Sequence, residues 1–108
     1  MDPALKAIAE PHRRRILTLV RDEEMSAGEI ASRFDVSGPA ISQHLKVLKE
    51  AGLVDERRDG TRRLYSLRRD GLGEVREFVE QFWSEGLRRL KYAAEAEENR
   101  KRGRRGRR

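Results

Sequence analysis

Residues 34–54, FDVSGPAISQHLKVLKEAGLV, constrain the fold more than any other part of this chain. Ser37 can cap a following helix, and Pro39 suits the first turn of that helix, where no amide hydrogen bond is lost. Gly52 supplies a residue that tolerates the left-handed conformation at the helix end. Between these signals three apolar residues recur at spacings of four and three, namely Ile41, Leu45 and Leu48. The pattern predicts a helix with one buried stripe and an opposite face without large apolar groups.

A second helix is predicted immediately before this one. The stretch SAGEIASRF, residues 26–34, opens with Ser26 and has Glu29 three residues later, which is the spacing of a capping box. Two shorter helices are predicted upstream, because Pro3 and Pro11 each suit a first helical turn. The middle of the chain therefore reads as a helix, a short turn and a second helix.

A basic β-hairpin is predicted after the helix pair. Residues 53–58 and 61–67 are short strand candidates on either side of Asp59 and Gly60, a favoured two-residue turn because both residue types tolerate positive φ. The strands are rich in charge, so we expect the hairpin at an edge, projecting into solvent. Four arginines flank the turn, namely Arg57, Arg58, Arg62 and Arg63. The predicted fold class is mainly α with a small β-hairpin, a winged helix-turn-helix.

One long terminal helix is predicted to begin near Asp70. Its apolar stripe is wider than packing within a single small domain requires. An exposed apolar patch of that kind marks an association site. We therefore expect the helices at both termini to form a homodimer interface. The predicted interface residues are Leu5, Ile8, Val79, Phe82, Trp83, Leu87 and Leu90.

Composition excludes several classes of protein. A chain of 108 residues, 41% charged and 36% hydrophobic, makes one domain without a deep enzyme cleft. It contains no cysteine, which excludes disulfides, thiolate metal sites and thiol catalysis. No Ser/His/Asp arrangement and no phosphate-cradling glycine loop is present, so we do not expect an enzyme. No basic leader and no apolar run of ~18 residues is present, so we expect no membrane partner and a cytoplasmic, nucleoid-associated location.

The positive charge is unevenly distributed along the chain. Residues 100–108 hold seven of the 25 Lys and Arg residues, which leaves 18 basic against 19 acidic residues in the remainder. The net charge of +6 therefore describes the C-terminal segment rather than the whole chain. The local concentration of arginine on the predicted hairpin is the more informative sign of a polyanionic partner.

These motifs together resemble the arsenical-repressor (ArsR-type) family of prokaryotic transcriptional regulators. The resemblance covers roughly residues 4–90 and is carried by three motifs at family spacing: PHRRRIL, SGPAISQHLKVL and RRDGTRRLY. It implies a dimer whose terminal helices pair and whose recognition helices enter adjacent major grooves.

The predicted recognition helix offers polar side chains at its N-terminal end, where such a helix meets base edges and phosphates. The candidate DNA-binding residues are Ser37, Pro39, Ser42, Gln43, His44 and Lys46. Gln43 is the strongest candidate for base readout, because a Gln amide can pair bidentately with adenine. Ser42 and Lys46 flank it, within reach of base or phosphate. For His44 two interpretations stay open, a hydrogen bond to a phosphate or packing against the preceding helix.

The candidate wing residues are Arg57, Arg58, Arg62 and Arg63. Two arginine pairs across one turn are suited to phosphates or to the minor groove. For His12 the sequence favours a structural or backbone-contact role over a ligand role.

Metal sensing is common in the resembled family, and the sequence departs from it here. Its arsenical sensors often have a Cys-x-Cys pair at the third helix, where this chain has MSAGE, residues 25–29. His12 and His44 lie in separate helices, and the terminal helix has no histidine, so we expect no metal site and no cofactor. We interpret Glu95, Glu97 and Glu98 as a solvated acidic face rather than a cation site. Whether a small-molecule effector exists stays open.

We therefore expect a sequence-specific transcriptional regulator, a homodimeric repressor that binds double-stranded DNA at a palindromic operator. Residues 1–95 are assigned to a winged helix-turn-helix DNA-binding and dimerisation domain and residues 96–108 to a basic disordered tail. Two alternatives are a winged helix that serves as a protein-interaction module and an RNA-associated protein that uses its Arg-Gly tail. The operator sequence, the regulated genes and the choice between repression and activation stay open.

Overall fold

The structure is a computed structural model that describes residues 1–105, without the side chains of residues 84–88, 91 and 101–105. In chain order its elements are α1 (Asp2–Ile8), α2 (Pro11–Leu19), β1 (Met25–Ser26), α3 (Ala27–Ala31), α4 (Gly38–Glu50), β2 (Val54–Asp59), β3 (Arg62–Leu67), a 3₁₀ turn (Arg69–Leu72) and α5 (Gly73–Arg105). Residues 1–75 form one compact unit, and the rest of α5 forms a second. The predicted fold class is confirmed: the chain is mainly α with a small antiparallel sheet, in the winged helix-turn-helix arrangement.

Side-chain caps fix where three helices of the first unit begin. Each capping side chain accepts a hydrogen bond from the backbone amide three residues later, at 2.9 to 3.2 Å. The three pairs are Glu10 with Arg13, Ser26 with Glu29, and Ser37 with Ala40. The predicted caps at Ser26 and Ser37 are therefore confirmed, and each cap of this kind contributes about 1 kcal/mol. The start of α4 is further defined by Pro39 in its first turn.

The apolar stripe of α4 joins the hydrophobic core of the first unit. Ile41, Leu45 and Leu48 are each 1% exposed or less, which confirms the predicted buried face. Four side chains from elsewhere in the unit are buried equally well: Ile16, Val20, Ile30 and Leu53. Full burial of such a side chain contributes about 1.5–3 kcal/mol relative to exposure. This packing fixes the rotation of α4, so that its polar face points outward.

Gly52 ends α4 in the predicted manner. Its φ of 74° is left-handed, and its amide donates to the Lys49 carbonyl at 3.0 Å. The Leu53 amide donates a hydrogen bond to the Leu48 carbonyl at 2.9 Å. The two bonds form a Schellman motif, which satisfies carbonyls that the helix end would otherwise leave unpaired. The chain then turns directly into β2.

The sheet has three strands in the order β1-β3-β2, and all neighbours are antiparallel. The two-residue strand β1 was not predicted, because it is too short to show an alternating pattern; it pairs Met25 with Tyr65. As a result β3 is the central strand and not part of an isolated edge hairpin. Leu64 and Tyr65 are each only 6% exposed, so the base of the hairpin contributes to the core.

The hairpin turn lies one residue later than predicted. Asp59 pairs with Arg62, so the two loop residues are Gly60 and Thr61 rather than Asp59 and Gly60. Gly60 has a φ of 65°, and no residue other than glycine has a positive φ among those described. A left-handed glycine at the first loop position is typical of a type II′ turn, whose twist matches that of the flanking strands.

Helix α5 begins at Gly73, after the 3₁₀ turn, rather than near Asp70. It continues to Arg105 and so differs from the disordered tail predicted for residues 96–108, whose last three residues lie outside the described part of the chain. Ala and Glu in this stretch are strong helix formers, and Glu97 binds Arg100 at 2.9 Å, one turn away. Among the described residues, no helix combines the length and the apolar character that a membrane span requires.

The close contact between Gly71 and Gly52 generates a stability prediction. A Cβ atom on Gly71 would lie 1.9 Å from the Gly52 carbonyl oxygen. Because that oxygen belongs to the backbone and cannot rotate away, Gly71→Ala should lower the free energy of unfolding by about 1–3 kcal/mol. Gly73→Ala is the matched control, since a Cβ there meets nothing within 4 Å. Denaturant titration measures both, and equal stability of the two variants would contradict the contact.

Candidate nucleic-acid interface

The exposed face of α4 lines a groove of about 600 Å³ between that helix and the hairpin. The lining residues are Ala27, Pro39, Ser42, Gln43, Lys46, Lys49, Glu56, Arg63 and Tyr65. Four of the six residues predicted on the recognition helix therefore line one groove, together with the wing residue Arg63. Ser42, Gln43 and Lys46 are exposed there, and the buried stripe lies on the opposite side of the helix.

The other two predicted recognition residues are placed differently. Ser37 is exposed, and its hydroxyl oxygen accepts the Ala40 amide as the cap of α4. His44 is half-buried and packs against the first turn of α2. Its ring stacks on that of His12, with centroids 5.6 Å apart. The groove is thus flanked by one residue that fixes the helix start and one that joins α4 to α2.

A polar network lies on the hairpin side of the groove and is centred on Glu56. The Lys49 ammonium donates to this carboxylate at 3.3 Å, the Tyr65 hydroxyl donates at 3.2 Å, and Arg63 Nε lies 3.9 Å away. Burial raises the pKa of Glu56, but these hydrogen bonds and charges outweigh it and hold the pKa below its usual value. Burial and the neighbouring carboxylate raise the pKa of Tyr65. Glu56 therefore stays ionised and holds Lys49 and Arg63 on the wall of the groove.

Three of the four wing arginines bind carboxylates of the same chain. Arg57 donates to Glu24 through two nitrogens, and its Nε lies 2.9 Å from one oxygen. Arg62 donates to Glu29 at 2.6 Å, and Arg63 faces Glu56. Among the described residues, Arg58 makes no ion pair. Within the part of the chain that the structure describes, the wing thus presents one arginine without an ion-pair partner and three that lie beside acidic residues.

No local sequence pattern indicates these acidic partners or Lys49. Glu24 and Glu29 each lie 33 residues before the arginine that they bind, so no local spacing could reveal the pairs. The hydrogen bond from Arg57 lowers the pKa of Glu24 and keeps it ionised. Besides its predicted place in the capping box, the Glu29 carboxylate accepts a hydrogen bond from the Ser26 hydroxyl at 3.0 Å.

The predicted dimer residues lie on both units. Leu5 and Ile8 are half-buried against the core, where Ala4 and Ala7 occupy the fully buried positions of α1. On α5 the exposed fractions are large for apolar side chains, and the residues concerned are Val79 (42%), Phe82 (66%), Trp83 (65%) and Leu90 (67%). The side chain of Leu87 lies outside the described residues. Much apolar surface is therefore uncovered on α5 in the single chain.

The shape and charge of the groove suit a polyanion whose base edges can accept and donate hydrogen bonds. The major groove of B-DNA is about 12 Å wide and admits one α-helix. The first turn of α4 lies at the positive end of the helix dipole, which favours phosphate oxygens. Gln43 offers a donor and an acceptor on one side chain, and Lys46 and Arg63 supply positive charge on opposite walls.

Comparisons with known proteins agree with this geometry. Residues 8–57 match the family model described as a helix-turn-helix domain. The HTH-type transcriptional regulator Rv2034 of Mycobacterium tuberculosis is 44% identical over 86 residues, which cover 80% of each chain. The transcriptional repressor SdpR of Bacillus subtilis is 45% identical over 67 residues, which cover 62% of this chain and 74% of SdpR.

A solved structure extends the likeness to nearly the whole chain. The ArsR-like transcriptional regulator from Rhodococcus sp. RHA1 is 28% identical and superposes with a TM-score of 0.71, over 91% of this chain and 90% of that one. Because identity to the mycobacterial regulator is high over four fifths of both proteins, the resemblance found in the sequence is confirmed. The chain belongs to the ArsR/SmtB family of helix-turn-helix transcriptional regulators.

Proposed function

We propose that this DNA-binding regulator acts as a homodimeric repressor that reads a palindromic operator with α4 and holds the flanking backbone with its wing. The observation that carries the proposal is the groove in which Ser42, Gln43 and Lys46 are exposed beside Arg63. Their exposure follows from the burial of the opposite stripe, so these side chains are available without any rearrangement of the core. Repression is supported by the likeness to SdpR, which is named a repressor.

Within this proposal the residues of α4 have distinct roles. Gln43 reads base edges in the major groove, and Ser42 and Lys46 contact neighbouring bases or phosphates. Ser37 and Pro39 fix the first turn, which faces the phosphate backbone. His44 holds α4 against α2 through the stacking of its ring on that of His12. Base contacts specify the operator, whereas phosphate contacts set orientation and salt dependence.

The wing arginines divide into two groups. Arg58 makes no ion pair in the described part of the chain and is therefore ready to bind a phosphate. Arg57 and Arg62 are held by Glu24 and Glu29 and would have to leave these carboxylates, or share them, to contact DNA. We assign the direct phosphate contact to Arg58 and an ordering role to the paired arginines.

The dimer is supported by the exposed apolar residues of α5, which need a partner surface in water. A second copy of the same helix supplies one of matching character, in a two-fold arrangement. Two-fold symmetry places the recognition helices on half-sites about one helical turn (~10 bp) apart or a multiple of it. A cytoplasmic, nucleoid-associated location follows from this function.

The function is tested by titrating the protein into its own promoter duplex, an unrelated duplex and single-stranded RNA. A clear preference for the promoter duplex is expected. Equal or tighter binding to RNA would favour the RNA-associated alternative. No binding to any of the three would favour a protein-interaction module.

Gln43→Ala should weaken binding to the operator by about 1–3 kcal/mol and should weaken binding to random duplex much less. The reason is that a base contact is lost while phosphate contacts remain. Fluorescence anisotropy on both duplexes measures the difference. An equal loss on both would show that Gln43 does not read sequence.

Arg58→Ala should weaken binding to both duplexes similarly and reduce the slope of log K against log salt by about 0.9. The control is the double variant Arg57→Ala, Glu24→Gln, which removes one internal ion pair without changing net charge. It should alter the slope less. If the double variant lost more slope than Arg58→Ala, the assignment of the two groups would be reversed.

Light scattering at micromolar concentration should give a mass about twice that of the 12.5 kDa chain. Trp83→Glu places a charge in the proposed apolar interface and should shift the protein to monomer, whereas Gln81→Glu adds the same charge outside the apolar set and should not. A monomeric parent protein would exclude the proposed dimer.

A further inference from the structure

Three side chains with metal-binding atoms converge where the first turn of α2 meets α4. Glu10 is the N-cap of α2, His12 follows in its first turn, and His44 projects from α4. His12 Nδ1 lies 2.9 Å from one Glu10 oxygen, and His44 Nδ1 lies 3.8 Å from the other. The imidazole rings are nearly parallel, at 13°. One nitrogen of each ring and one carboxylate oxygen all lie within 4.8 Å of one another.

The expectation that no metal site exists depended on the two histidines being in separate helices. They are in separate helices, but the packing of α2 on α4 brings their rings into contact. Glu10, which no sequence motif connected with them, completes the group. A set of two imidazoles and one carboxylate is typical of a zinc site that keeps its fourth position open for water.

The distances are close to those of a formed site. Tetrahedral coordination with bonds near 2.0–2.1 Å separates neighbouring ligand atoms by about 3.4 Å. The ligand atoms of the three residues lie within 4.8 Å of one another, so binding of an ion requires them to move slightly closer together. All three residues are half-buried, so the group is partly shielded from water but accessible to an ion.

We propose that Glu10, His12 and His44 form a binding site for a divalent transition metal of the zinc class. The carboxylate between the rings supplies the negative charge that two neutral imidazoles lack. The ion takes the place of the proton that Glu10 and His12 now share in their hydrogen bond.

The surroundings leave the ligand atoms able to bind. Burial raises the pKa of Glu10, but hydrogen bonds from His12 and from the Arg13 amide, with the nearby His44, outweigh it and lower the pKa, so that the carboxylate is ionised. Arg13 Nη1 lies 3.4 Å from His44 Nδ1. A guanidinium can only donate, so the lone pair of this nitrogen faces Arg13, and a metal ion that binds it must take the place of that hydrogen bond. The rest of the guanidinium is held by the carbonyls of Ala7 and Lys6, at 2.8 and 3.2 Å.

The position of the site gives it a consequence for DNA binding, which rests on the proposed function. His44 is adjacent to Gln43 in α4, and a metal ion would link α4 to the first turn of α2 by coordinate bonds. Operator affinity would then respond to the metal. The existence of the site does not depend on this consequence and is tested without DNA.

The test titrates the full-length, metal-free protein with Co²⁺ and with Zn²⁺, each as the metal alone. We expect one ion per chain, with the visible absorption of nitrogen-coordinated, low-symmetry Co²⁺. The chain has two histidines and no cysteine, so imidazole signals in NMR spectra report on these two residues alone. Both should shift on addition of Zn²⁺. His12→Ala and Glu10→Gln should each weaken binding at least tenfold, because loss of a ligand costs no less than loss of a supporting residue.

The matched control is the triple variant Glu95→Gln, Glu97→Gln, Glu98→Gln, which removes the acidic face of α5 and should bind Zn²⁺ as the parent does. Circular dichroism of each variant establishes that its helices are intact; the side chain of His12 is 43% exposed, so its removal leaves the core unchanged. Zn²⁺ binding that persists in His12→Ala and disappears in the triple variant would overturn the proposal. Absence of stoichiometric binding, with both histidine signals unmoved, would also overturn it.

Discussion

The rest of the interface depends on the burial of one stripe of α4. Ile41, Leu45 and Leu48 are almost completely removed from water, and any rotation of the helix about its axis would expose them. The polar side of α4 is held outward by this cost rather than by contacts of its own. Ser37 and Gly52 add the axial constraint, since they set the residue at which the helix begins and the residue at which it ends. Gln43 is therefore presented on a rigid element, which suits the role in base reading that we propose for it.

The hairpin is anchored by two different kinds of interaction. At its base, Leu64 and Tyr65 pack into the core, and β3 is hydrogen-bonded on both sides. Toward its tip, Arg57 and Arg62 bind Glu24 and Glu29, which lie just before and within α3. Such exposed pairs contribute little to stability on their own, but they restrict the directions that the wing can take. The same acids lower the positive potential of the wing, so its net positive charge is smaller than the arginine count indicates.

What could be predicted from the sequence was local. The caps at Ser26 and Ser37, the stripe of α4 and the hairpin each depend on residues within a few positions of one another. What could not be predicted depends on residues far apart in the chain. The strand β1 exists only because β3 lies beside it, the partners of Arg57 and Arg62 are 33 residues away, and His44 meets Glu10 through the packing of two helices. The one-residue shift of the turn is different in kind. A left-handed glycine suits either position of a two-residue loop, and only the pairing of Asp59 with Arg62 places Gly60 at the first.

The pairing of β1 with β3 has a consequence for how the chain folds. It joins Met25 to Tyr65, so α3, α4 and β2 all lie inside one loop of about 40 residues. The entropy cost of closing such a loop grows only with the logarithm of its length. This cost must be met before the pairing of the two-residue strand contributes any stabilising free energy. The core contacts of α4 and the hydrogen bonds between β2 and β3 therefore have to form together with the pairing of β1 and β3. We therefore expect α4 and the hairpin to form and unfold together, in one cooperative transition.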